Sequence, residues 1–126
     1  MKETTQLGRL ARGVVAALLL TGVAPLSAED TGPGTSVLGV GNQSCGVWLE
    51  NERSKNDDRY ILRAWLGGFL SALNATGYSG DKDLTEGMNV TGLDQWVSNY
   101  CAANPLNTVA RASAELAKEL KTRQGK

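Results

Sequence analysis

Asp58-Arg59-Tyr60-Ile61-Leu62-Arg63-Ala64-Trp65-Leu66-Gly67-Gly68-Phe69-Leu70-Ser71-Ala72-Leu73-Asn74-Ala75 is the stretch that decides the fold class. Its apolar residues (Tyr60, Ile61, Leu62, Ala64, Trp65, Leu66, Phe69, Leu70, Ala72 and Leu73) wrap more than one face of a 3.6-residue spiral. That pattern predicts a central helix from about Asp58 to Asn74 or Ala75, contacted from several sides. Asn56-Asp57-Asp58 supplies cap-type residues, and the two acids suit a helix N-terminus. Gly67-Gly68 costs roughly 1 kcal/mol per glycine relative to alanine. The expectation is close approach of a neighbouring helix where no Cβ intrudes; a kink is the competing reading.

Working outward, Ser44 is placed as the N-cap of an earlier helix, Cys45 to about Ser54, with Cys45, Trp48 and Leu49 on one face. Downstream, Gly77 to Gly92 reads as a polar, glycine-rich, solvated connection. Asp81-x-Asp83 within it lacks the central glycine and terminal glutamate of a calcium loop. Thr91-Gly92-Leu93-Asp94 resembles a capping arrangement for a third helix from about Gly92 to Ala103, with Leu93, Trp96, Val97, Tyr100 and Cys101 at helical spacing. Asn104-Pro105 then predicts a break, with Asn104 capping a last helix that Pro105 opens. The stripe of that helix is Leu106, Val109, Ala110, Ser113, Leu116, Ala117 and Leu120. There are no internal repeats and no convincing strand pairs. The expected fold is all-α, a small four-helix bundle.

The N-terminus has the three parts of a secretory signal. Lys2, Arg9 and Arg12 are basic, an apolar run follows from Val14, and Ala24-Pro25-Leu26-Ser27-Ala28 offers a cleavage site after Ala28. The run is shorter than the roughly 20 apolar residues that span a bilayer. Glu29 stands where a lipoprotein would carry its lipidated cysteine. The expected organisation is a signal peptide at 1–28, a flexible arm at 29–43, a helical domain at 44–122 and a tail at 123–126. The mature protein is placed in the bacterial periplasm, with no membrane association after cleavage.

Two cysteines in an exported chain most economically form one disulfide, Cys45–Cys101. No CxxC and no second ligand cluster favours a metal-bound or reactive thiol. The whole chain balances 13 basic against 13 acidic residues. Loss of Lys2, Glu3, Arg9 and Arg12 with the signal leaves a slightly acidic domain, so bulk charge does not attract nucleic acid. Histidine is absent. That removes the commonest general base and zinc ligand, and rules out a Ser-His-Asp or Cys-His arrangement within this chain. Any pH response must come from Asp and Glu, near pH 4. Ser71 and Ser98 have no adjacent base, and no spacing shows two of Asp57, Asp58, Asp81, Asp83 and Asp94 converging. No catalytic residue, cofactor or metal ligand is therefore assigned. The aromatic residues read as core, except Tyr78 in its loop. Tyr78, Asp81, Lys82 and Asp83 are the candidate partner contacts, within Gly77–Gly92. The arm is a second candidate.

Ser44-Cys45 before Trp48-Leu49, then Gly68-Phe69-Leu70-Ser71-Ala72-Leu73-Asn74, then Tyr100-Cys101 before an amphipathic helix, resembles the plan of HdeA-type periplasmic acid-stress proteins. Trp96-Val97-x-x-Tyr100-Cys101-x-x-Asn104-Pro105 is similar to the Tai/Rap immunity proteins that protect bacteria against type VI secreted cell-wall amidases. The resemblance spans residues 44–121. It implies a small helical domain with one disulfide and transfers no catalytic or binding residue. The long glycine-rich connection departs from the acid-stress plan.

The function expected is non-enzymatic protein binding in the periplasm. An immunity-type protein would block one secreted cell-wall hydrolase at neutral pH. An acid-stress chaperone would bind many acid-denatured clients after protonation loosens its fold or a homodimer. A small-ligand module is the third reading, and an enzyme has the least support.

Overall fold

The structure, a computed structural model, describes residues 36–125. The signal peptide expected at 1–28 and residues 29–35 of the expected arm lie outside the described residues. The helices are α1 (Cys45–Ser54), α2 (Asp58–Ala75), α3 (Val90–Ala103) and α4 (Val109–Gln124), preceded by a 3₁₀ helix at Gly39–Asn42. No strand occurs among the described residues. This is the all-α four-helix bundle with one disulfide. Helix α1 packs on α3, α3 on α4 and α2 on α4, while the 3₁₀ helix rests against α2 and α4.

The shared core is built from one stripe of each helix. Leu62, Leu66 and Leu70 of α2 are spaced one turn apart and meet Val97 and Cys101 of α3 and Val109, Ala112, Leu116, Ala117 and Leu120 of α4. Cys45 and Trp48 come from α1. The cysteines form the expected disulfide.

Helices α3 and α4 depart from expectation at their starts. Helix α3 begins at Val90, with Asn89 as N-cap: its Oδ1 accepts from Gly92 N at 2.7 Å. Thr91 is not the cap, because Asp94 is turned inward to an ion pair instead of back to the helix end. Helix α4 begins at Val109 rather than Pro105, and Thr108 caps it by accepting from Arg111 N at 3.2 Å. Asn104 is the C-cap of α3.

The reason for the later start lies in the first turn of α1. Its orphan amides take carbonyls from the 105–108 turn: Cys45 N donates to Asn107 O at 2.7 Å and Gly46 N to Pro105 O at 3.3 Å. In return, Val109 N donates to Gln43 O at 2.9 Å, and Ser44 pairs with Thr108 in an antiparallel bridge. Two helix N-termini thus satisfy each other. Leu106, expected in the apolar stripe, projects from this turn and is 94% exposed.

Residues 36–43 do not behave as the end of a flexible arm. Trp65 Nε1 donates to Leu38 O at 2.9 Å, and Gly41 is buried against the Trp65 ring. A Cβ at Gly41 would lie inside the van der Waals envelope of ring atoms Cζ2, Cε2 and Cη2, so glycine is required there. The Gly77–Gly92 connection is also anchored. Leu84 is only 1% exposed, and its N–H donates to Asn74 Oδ1 at 2.8 Å.

Helix α2 is contacted by α1, α4 and the 3₁₀ helix, as expected of a central helix, but one of its faces stays outside. Tyr60, Ile61, Ala64, Gly67, Gly68, Ser71 and Ala72 form an exposed face. Nothing lies within 4 Å of a Cβ built at Gly67 or Gly68, so close packing does not explain them. We therefore expect Gly67→Ala and Gly68→Ala each to raise stability by about 1 kcal/mol. Urea unfolding measures this. A loss of stability in either variant would mean that the glycines answer a contact not visible in the bundle.

Candidate functional site

The first helix of the bundle and the start of the second enclose a surface groove of about 370 Å³, lined by Val40, Gln43, Val47, Asn51, Asp58, Ile61 and Leu62. Helical spacing explains its walls. Val47 and Asn51 lie one turn apart on α1, and Asp58, Ile61 and Leu62 fall at i, i+3, i+4 on α2. The ordered 3₁₀ helix closes one end with Val40. Leu62 is buried, whereas Ile61 remains 55% exposed and Val47 36% exposed. These are large aliphatic side chains left in water beside a concavity.

The expected contact loop is arranged differently from expectation. Tyr78 is half-buried against the core, with Lys121 Nζ 4.3 Å from its ring centroid. Asp83 is turned into the loop: its Oδ1 accepts from Asn74 Nδ2, Thr85 N and Thr85 Oγ1, each at 2.8 Å. The Thr85 bonds and Asn74 hold its carboxyl below the usual range. Lys82 Nζ donates to Gln124 O at 2.9 Å. Only Asp81 and Lys82 of the four line a shallow second cleft of about 380 Å³, with Ser79, Lys121, Gln124 and Gly125. Tyr78 packs inward and the exposed Asp83 is taken up by the loop's own hydrogen bonds, so Asp81 and Lys82 alone of the four face the second cleft.

A group that sequence reasoning did not single out joins three helices. Arg63 of α2 binds both carboxylate oxygens of Glu52 of α1, with Nε–Oε1 at 2.7 Å. Its Nε also lies 3.2 Å from Asp94 Oδ2 of α3. Asp94 is 6% exposed. Burial pushes its carboxyl above the usual range, against the pull of Arg63. The only sequence signal for this was an acid and an arginine on helices with no stated register between them. Beside it, the buried Trp48 donates from Nε1 to Ser98 Oγ at 2.9 Å, and Ser98 Oγ donates to Asp94 O at 2.8 Å. The Ser98 hydroxyl thus links Trp48 to the backbone of α3.

The sign of the Asp94 shift matters for acid behaviour. A folded-state pKa above the unfolded value means that the folded protein binds the proton more readily. The burial penalty is present at neutral pH and is relieved as pH falls through the raised value. Asp83 and Glu115 shift the other way. The hydrogen bond from Lys118 lowers Glu115, so its contribution is lost as pH falls through its lowered value. Asp83 is exposed and Glu115 sits at the surface, where such contributions are small.

Among the described residues, no group of three or more Cys, Asp or Glu side chains could hold a metal ion. No helix among them is long and apolar enough to cross a membrane. Compared with known proteins, the chain matches no family model, no curated protein and no solved structure.

Proposed function

We propose that this chain is an exported, non-enzymatic protein-binding domain of the immunity or inhibitor type, acting in the periplasm on a secreted cell-wall hydrolase. The observation that carries protein binding is the groove between α1 and α2, flanked by the exposed Val47 and Ile61. Two exposed aliphatic side chains beside a concavity support reading it as a contact site. The hydrolase class comes from the resemblance of Trp96 to Pro105. The bundle suits a rigid inhibitor, since a buried disulfide holds α1 to α3 and Arg63 holds α2 to both. The chaperone reading needs acid to loosen packing. Relief of the Asp94 burial penalty opposes that, whereas protonating Glu52 and Asp94 removes their ion pairs with Arg63, so the acid arm of the test below decides.

The test is capture of partners from periplasmic extract and from cultures of neighbouring strains, at neutral pH and at about pH 3, read by mass spectrometry. The expected result is one stoichiometric partner at neutral pH, a cell-wall hydrolase, lost with Ile61→Glu. In acid the helical circular dichroism persists and no apolar dye binds. Dye binding with capture of many proteins only in acid would replace this reading with the chaperone.

A further inference from the structure

The groove carries more chemistry than its aliphatic walls. Asn51 is 8% exposed, and its side chain lines the groove. Its Nδ2 donates to Val47 O at 2.8 Å. Only the amide nitrogen can donate to a carbonyl, so Oδ1 is an acceptor, and no donor among the described residues reaches it. Asp58, also on the lining, has no ion-pair partner among the described residues. Gln43 contributes little backbone capacity, since its N–H and carbonyl are bound to Val40 O and Val109 N. The groove therefore offers the Asn51 Oδ1 acceptor and the Asp58 carboxylate, together with the side-chain amide of Gln43, between Val47 and Ile61.

Resting on the protein-binding reading above, we propose that the groove receives a peptide segment of the partner in which an apolar anchor side chain stands beside a lysine or arginine. The anchor lies between Val47 and Ile61. The cation meets Asp58, and an N–H of the segment donates to Asn51 Oδ1. Any N–H of the segment, backbone or side chain, could serve that oxygen, so the choice of a cation rests on Asp58: an all-apolar segment would cover that carboxylate without a partner, and an acidic one would repel it. This chain's own residues 29–35, Glu29-Asp30-Thr31-Gly32-Pro33-Gly34-Thr35, have two acids and no large apolar side chain. They have the wrong chemistry for the groove.

A random peptide display library selected on the purified, disulfide-bonded protein tests this. Enriched sequences should place Lys or Arg within a few positions of an aliphatic or aromatic residue. A synthetic peptide of that sequence should bind at least tenfold more weakly to Ile61→Glu and to Asp58→Lys. Both substitutions are at exposed positions, and circular dichroism with a melting curve verifies that each variant is folded. Enriched peptides without a basic preference, or equal binding to Asp58→Lys, would overturn the charge assignment and leave the docking surface standing. Binding indifferent to Ile61→Glu, or no enrichment, would overturn the peptide proposal. Capture of a partner from extract that is still lost with Ile61→Glu would then show that the protein-binding reading survives without it.

Discussion

Replacing Cys45 and Cys101 together by alanine lowers the thermal midpoint by roughly 10–30 °C. The bridge spans 56 positions and joins the first turn of α1 to the last turn of α3. In the chain-entropy account, opening a loop of that length costs about 4 kcal/mol, and measured yields are typically about 2–4. For a domain of this size, 1 kcal/mol is worth about 4–8 °C. Both half-cystines are fully buried, so alanine also forfeits packing in the core. Helix α1 is short, and much of its attachment is this bridge and Trp48, so it is the element expected to loosen first. Melting curves of wild type and the double variant without reductant measure the effect. A midpoint within a few degrees of wild type would mean that the bridge adds no stability.

Trp48→Ala is expected to destabilise by about 3–5 kcal/mol, the range for deleting a large buried aromatic side chain. Trp48 is fully buried between α1 and the rest of the core. Its loss opens a void beside Cys45, three residues away on the same face, and removes the donor to Ser98. Trp48→Phe separates the two effects. It keeps most of the volume and loses the hydrogen bond, for a cost of about 1–2 kcal/mol. Urea unfolding with an unchanged slope checks both. Combining Trp48→Ala with the cysteine substitutions should not be additive, because the sites share neighbours. Equal costs for the alanine and phenylalanine variants would mean that the hydrogen bond, not the volume, is what matters.

Local chemistry was legible along α1 and α2. The starts of α1 and α2 and their ends follow from Ser44, Asp57-Asp58 and the apolar spacing. Ser44 Oγ does accept from Val47 N, at 3.3 Å. Asp57 makes no side-chain cap, so its placement at the start of α2 reflects the turn rather than a hydrogen bond. The starts of α3 and α4 were misread for one reason. Thr91–Asp94 and Asn104–Pro105 are sound local signals, but Asp94 is claimed by Arg63 and the carbonyls of Pro105 and Asn107 by the amides of α1. Likewise, Leu84 was hidden in a polar loop because a single apolar residue has no period.

From the sequence alone came the all-α class, the number of helices, the cysteine pairing and the absence of histidine chemistry. These depend on hydrophobic period, residue counts and compartment logic, which need no knowledge of how helices are arranged. The faces left outside were decided only by the tertiary structure. It turned the α2 glycines and Ile61 to solvent, packed Tyr78 against the core, tied the exposed Asp83 into the loop's own hydrogen bonds, and set Asn51 and Asp58 on one groove. A groove is a relation between elements: Val40, Val47 and Ile61 belong to three separate segments, and no single segment's spacing records the distance between them.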